Sequence, residues 1–130
     1  MGKIRHIAYR VDDMDAMAAF FVNGLGMTEV QRRSTGAIDL SDGTINITLL
    51  PTVGLGATGK QGIEHIGFTV ANEEEAKRAM EAAGATEMNT INMTDVNYEV
   101  KYRGPEGIVV DLGHWAGTAP VVEEPIAAQA

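Results

Sequence analysis

Cysteine is absent from this 130-residue chain, which excludes disulfides, thiolate metal sites and a cysteine nucleophile. Aromatic residues amount to 5%, so a core must be built from Ile, Val, Leu, Ala and the seven methionines. No apolar run approaches the roughly 18 residues of a membrane span. The N-terminal MGKIRHIAYR goes straight into a strand pattern, without the apolar stretch of a signal peptide. No membrane is therefore expected as a partner, and a cytoplasmic location is the default. Positive charge is scarce too: ten Lys and Arg stand against eighteen Asp and Glu, a net charge of −8. Such a chain gains nothing from a phosphate backbone, so nucleic acid is not an expected partner. Histidine is the last scarcity, at three residues, and it is the informative one.

Two of the three histidines occupy the same slot of two similar stretches, Lys3–Val11 (KIRHIAYRV) and Gly62–Val70 (GIEHIGFTV). Both alternate apolar residues with others and read as β-strands. Asp12 or Asp13 can cap the helix that follows the first, whose apolar face is expected at Met17, Phe20, Phe21 and Gly24. Asn23-Gly24 and Gly26 end it. Strands are expected over Thr28–Ser34, Ala37–Leu40 and Thr44–Leu50, with Ser41-Asp42-Gly43 as a tight turn and Pro51 closing the unit. Residues 52–62, TVGLGATGKQG, hold four glycines and read as a linker. A phosphate loop would need Lys-Ser/Thr opening a helix, and none follows.

The second half repeats the first. The strand Ile63–Ala71 leads to Asn72 with Glu75 three residues on, a capping box, and Ala76, Ala79, Met80 and Ala83 are the expected buried stripe. Gly84 ends that helix, and Gly26-Met27-Thr28-Glu29 matches Gly84-Ala85-Thr86-Glu87. Strands are expected at Thr86–Met93, Tyr98–Arg103 and Ile108–Leu112, with a turn at Gly104–Gly107. The order is βαβββ twice, a pseudo-twofold α+β domain over residues 1–117 with modules at about 3–51 and 63–116. Residues 118–130, Ala, Pro and Glu without periodicity, read as a tail.

Strand alternation sorts side chains by face. Ile7, Tyr9 and Val11 are expected to pack on the helix, leaving His6, Ala8 and Arg10 opposite; His65, Gly67 and Thr69 share the corresponding face of the later strand. In IVVDL, Asp111 falls on that face, where a buried carboxylate must be paired or ligate a metal, with Arg10 the obvious partner. Asn46 and Thr48 face the same way in the first module. Two histidines and a carboxylate suit a divalent ion, Fe, Mn, Zn, Ni or Co, with positions left for water or substrate. Satisfied structural histidines, inherited twice through duplication, are the other reading.

The motifs IRHIAYRVDDMDAMAAFF, GTINITLLP, GIEHIGFTV and YRGPEGIVVDLG, in this order, resemble the vicinal oxygen chelate superfamily of glyoxalases, methylmalonyl-CoA epimerases, extradiol dioxygenases, fosfomycin-resistance thiol transferases and bleomycin-resistance proteins. The resemblance covers about residues 3–116 and implies two tandem βαβββ modules forming a cupped mixed sheet, helices outside, around one divalent metal ion. By position the ligands are His6, Thr48, His65 and Asp111. Thr48 stands where glyoxalases and epimerases have Glu or Gln, so the implied metal set is His6, His65 and Asp111, with Thr48 lining the substrate site. The extradiol enzymes' further histidine is replaced around Met93, Thr94 and Asp95, Tyr102 resembles their tyrosine but falls on the packed face, and no arginine follows the last strand as in the thiol transferases.

What the resemblance implies is a lyase, isomerase, thiol transferase or dioxygenase acting on a small vicinally oxygenated substrate, in a homodimer. Glu99 is the candidate base, and Arg10, Lys101 and Arg103 the candidates to hold an anionic substrate; for His114 and Trp115 the readings are the mouth of the cup or a surface aromatic packed under the tail. The alternative is a metal-free binding protein of the bleomycin-resistance kind. Thr48 favours it; the retained histidines favour the enzyme.

Overall fold

The computed structural model describes residues 2–54, 56–88 and 99–113, with the side chain of Glu99 outside the described part. Strands β1 (Lys3–Val11), β2 (Thr28–Arg32), β3 (Ile38–Ser41) and β4 (Asn46–Pro51) with helix α1 (Met14–Leu25) form a first βαβββ module. Strands β5 (Gly62–Thr69), β6 (Thr86–Glu87), β7 (Glu99–Arg103) and β8 (Val109–Gly113) with helix α2 (Glu73–Ala82) form a second. The strands make one mixed sheet in the order β2-β3-β4-β1-β5-β8-β7-β6. Exchanging the modules leaves this order unchanged, so a pseudo-twofold axis passes between β1 and β5, which pair antiparallel. β4 adds to β1, and β8 to β5, in parallel.

Local chemistry accounts for the helix limits. The Asp13 carboxylate accepts the Ala16 amide at 2.9 Å and caps α1. Asp12 instead accepts from Thr52 Oγ1 and Gln61 Nε2, tying the end of β1 to the inter-module connection. Gly26, left-handed at φ 74°, closes α1 with its amide on Val22 and that of Met27 on Phe21. Asn72 caps α2 through the Glu75 amide, as its spacing predicts.

Each helix covers its own half of the sheet. Val11, Ile38, Leu40 and Leu49 of the sheet are buried beneath α1, which packs on them through its buried Ala18 and half-buried Met14, Met17, Phe21 and Val22. The apolar face of α1 is thus rotated from the expected one: Phe20 is 61% exposed, because the stripe that meets the sheet starts at Met14. The second core, Val70, Val100, Tyr102 and Leu112, is thinner. Ala76 and Met80 pack on it, but Ala79 and Ala83 of the expected stripe stay exposed. The short alanine side chains leave a cavity of about 550 Å³ between α2 and the sheet, lined by Ala76, Ala79 and Met80 on one side and Phe68, Val70 and Leu112 on the other. Tyr102 lies wholly inside this core, on the helix side of β7.

The strands differ from expectation mainly at their ends: β4 begins at Asn46 rather than Thr44, and β8 runs one residue later. Asp42 accepts the amides of Thr44 and Ile45, extending the turn into the residues assigned to the strand. Residues 89–98 and 114–130, which include the Met93–Asp95 slot, His114, Trp115 and the tail, lie outside the described residues. No helix is long and apolar enough to cross a membrane among the described residues.

Candidate metal centre

The face of the sheet turned away from the helices carries the polar residues. β1 and β5 are each bulged by one residue: Arg5 is extra between the pairs Ile4–Phe68 and His6–Gly67, and Glu64 between Ala8–His65 and Tyr9–Ile63. Each bulged residue immediately precedes a histidine, so the two irregularities obey the pseudo-twofold. A bulge re-aims a side chain that strict alternation would send to the other face. Glu64 consequently reaches its neighbour His65, with Oε2 2.9 Å from Nδ1, and also receives Arg10 Nε.

His6 from β1, His65 from β5 and Asp111 from β8 converge, all three buried. His6 Nε2 is 3.3 Å from His65 Nε2, while Asp111 Oδ2 is 3.2 Å from His65 Nε2 and 3.8 Å from His6 Nε2. Ligands about 2.1 Å from one metal ion at tetrahedral or octahedral angles stand about 3.0–3.4 Å apart, so only small adjustments separate these atoms from a coordination face.

Protonation points the same way. Burial pushes the His6 imidazole down to about 4; Asp111 opposes this, and His65 and Lys101 add to it. At pH 7 His6 is therefore neutral, the form that ligates a metal, and its approach to Asp111 is not an ion pair. Burial alone would raise Glu64, but hydrogen bonds with His65 and Arg10 outweigh it and hold the carboxyl near 2. An ionised Glu64 accepts the Nδ1 proton of His65 and turns the Nε2 lone pair toward Asp111, the carboxylate–histidine arrangement common behind metal ligands. Asp111 Oδ1 is buried with no hydrogen-bond partner among the described residues. A buried carboxylate oxygen left unpaired is costly, and a cation would satisfy it. The donor set fits a divalent ion.

Gly67 explains how the groups come so close. A Cβ there would lie 2.5 Å from His6 Cε1 and 2.6 Å from Asp111 Oδ1, so both side chains occupy the space above the glycine. Gly67 pairs with both His6 and Asp111 across the neighbouring strands.

The other expected site residues are distributed as follows. Lys101 Nζ lies 3.0 Å from Asp111 Oδ2, so Lys101 and not Arg10 is the carboxylate's ion-pair partner. Arg10 donates to Glu64 and to the Pro51 carbonyl. Arg103 reaches the Gly107 carbonyl, and with Arg10 and Lys101 it lines a cavity beside the triad. Thr48 occupies the slot in β4 that Asp111 occupies in β8, but its hydroxyl donates to Asp39 Oδ1 at 2.8 Å. Backbone pairing sets Glu99 opposite Gly113; its side chain lies outside the described residues.

Sequence reasoning missed two contributors, Asp39 and Glu64. Asp39 is fully buried and accepts from Thr48, Gln31 and Arg33. Its signal was a carboxylate between Ile38 and Leu40, the pattern that marked Asp111. Glu64 was hidden by the bulge, which alternation cannot foresee. Asn46, which alternation already puts on this face, lies beside His6 across the parallel pair and is fully buried, with both amide atoms unpartnered among the described residues.

The family model described as Glyoxalase/Bleomycin resistance protein/Dioxygenase superfamily matches residues 3–112. No curated protein matches the chain. Among solved structures, hypothetical protein BH1468 from Bacillus halodurans C-125 aligns with a TM-score of 0.68 at 19% identity, over 87% of this chain and 94% of that one. Methylmalonyl-CoA epimerase from Mycobacterium tuberculosis gives 0.68 at 17% identity, over 98% and 91%. The 2,3-dioxygenase LapB from Pseudomonas sp. KL28 gives 0.70 at 20% identity over 87% of this chain, which spans 40% of LapB. At these identities the likeness is one of fold.

Proposed function

Because the chain belongs to the Glyoxalase/Bleomycin resistance protein/Dioxygenase superfamily, we propose that it is a divalent-metal-dependent enzyme acting on a small, vicinally oxygenated substrate. His6, His65 and Asp111 hold the ion, which is Fe, Mn, Zn, Ni or Co. The observation that carries this reading is the convergence of three buried ligand atoms from three strands, with a carboxylate oxygen left unpaired beside them. The bound ion supplies Lewis-acid stabilisation of negative charge developing on the substrate oxygens. Glu64 orients His65, and Arg10 holds Glu64 in place. Thr48 and Asn46 bound the substrate from the β4 side, Arg10, Lys101 and Arg103 hold its anionic part, and Glu99 moves the proton. Reactions of this kind are those of a lyase, isomerase, thiol transferase or dioxygenase.

The reading includes a cytoplasmic location and a homodimer. Light scattering on the purified chain reports the assembly.

Elemental analysis of protein purified without chelator or nickel affinity tests the proposal. The expected result is about one such ion per chain, lost in His65→Ala and Asp111→Ala. No metal in the wild type, and none taken up on titration, refutes it. A metal-free binding protein is the second reading, favoured by one observation: Lys101 forms an ion pair with Asp111 that can itself balance the buried carboxylate. That outcome of the metal analysis would select it.

A further inference from the structure

A cavity of about 530 Å³ opens beside the triad, between β1, β5, β7 and the connection between the modules. Four of the chain's ten basic side chains, Arg10, Lys60, Lys101 and Arg103, line it, with Glu64 the one carboxylate among its lining residues. In a chain of net charge −8 this concentration of cations opposes the overall charge. The volume is that of a small-molecule site. The glycine-rich connection supplies part of the wall: Gly56 lines it beside Arg10, where a Cβ would stand 3.6 Å from the guanidinium, and Lys60 comes from the same segment. The cavity meets the triad through two contacts, Glu64 on His65 and Lys101 on Asp111. Lys101 sits on Oδ2, the same oxygen that faces both histidines. An ammonium and a divalent ion carry like charge and cannot share that oxygen at ease.

Resting on the metal reading above, we propose that this cavity is an oxyanion subsite for a carboxylate, phosphonate or phosphate group of the substrate, and that metal binding displaces Lys101 from Asp111 into it. Metal and anion then bind cooperatively, and by linkage each strengthens the other by the same factor. The substrate class follows: vicinal oxygens at one end for the metal, and an anionic group at the other for Arg10, Lys60, Lys101 and Arg103.

The test is calorimetric titration of the full chain, chelator-stripped or reconstituted with Co²⁺, using methylphosphonate and acetate as separate probes to distinguish a tetrahedral anion from a carboxylate. One or both probes should bind, about tenfold more tightly to the Co²⁺ form, a coupling in the usual range for linked sites. Lys60→Ala and Arg103→Ala, neither of them metal ligands, should each weaken the anion about tenfold, as expected when a charged hydrogen bond is lost, and leave Co²⁺ affinity unchanged. Arg103→Lys should restore part of the loss. Lys101→Met should bind Co²⁺ more tightly than wild type and abolish the coupling. Wild-type anion affinity in Lys60→Ala and Arg103→Ala overturns the subsite, and unchanged or weaker Co²⁺ binding in Lys101→Met overturns the displacement. A chain that takes up no Co²⁺ refutes the metal reading and the coupling together, while titration of the stripped protein and its Lys60→Ala variant still decides the cavity.

Discussion

Replacing Gly67 by alanine adds a single methyl group, in a strand, at a residue whose backbone is not left-handed. On backbone grounds alone the change should stabilise the chain by about 0.5–1 kcal/mol, since glycine loses more conformational freedom on folding. The surroundings reverse the sign. The new carbon would stand 2.5 and 2.8 Å from His6 Cε1 and Nδ1, and 2.6 Å from Asp111 Oδ1. Ordinary contacts lie near 3.5 Å, so both side chains must retreat by about 1 Å. They have little room: His6 is 4% exposed and Asp111 not at all. Overpacking of this kind costs about 1–3 kcal/mol, which outweighs the backbone gain. A 1 Å displacement of two ligands should lower metal affinity at least as much as a disturbed supporting hydrogen bond does, about 10–100-fold. Co²⁺ titration by calorimetry, beside urea denaturation of the metal-free form, measures both effects. Gly24→Ala is the control: Gly24 lies inside α1 with nothing within 4 Å of the added carbon, so it should gain stability and keep its metal. Wild-type Co²⁺ affinity in Gly67→Ala would refute the packing argument.

Glu64→Gln keeps the size of the side chain but removes the charge that orients His65 and anchors Arg10; Co²⁺ affinity should fall about 10–100-fold, and an unchanged value would deny Glu64 that role. Asp39→Ala removes the fully buried carboxylate that accepts from Arg33, Gln31 and Thr48 together and should destabilise the chain by about 3–5 kcal/mol in urea denaturation. A loss below 1 kcal/mol would mean that these three donors are satisfied without Asp39. Metal-free stability should fall on acidification: His6 titrates near 4 in the fold against 6.5 unfolded, so between these values the unfolded chain binds more protons and stability drops as pH falls. For this nearly buried group the loss approaches about 3 kcal/mol. Glu64, depressed from 4.5 to about 2, acts in the same direction below pH 4.5. Equal urea midpoints at pH 7 and pH 5, in chelator, would contradict the shift at His6.

The sequence alone determined the repeated βαβββ order, the α2 cap at Asn72, an α1 cap at Asp12 or Asp13, and the face on which His6, His65 and Asp111 lie, because capping and alternation are set by neighbours in the chain. It could not decide partners. Asp111 takes Lys101 rather than Arg10, and Thr48 turns to Asp39, because strand register sets which side chains stand opposite. The phase of α1 escaped for a related reason: several of its faces are apolar, and only the sheet beneath selects Met14, Met17 and Phe21 over Phe20. Glu64 escaped because a bulge breaks the period of two on which the reading of faces depends. The chain thus specifies which groups are offered to the cup. The pairing of β1 with β5, formed between residues some sixty apart, decides which of them meet.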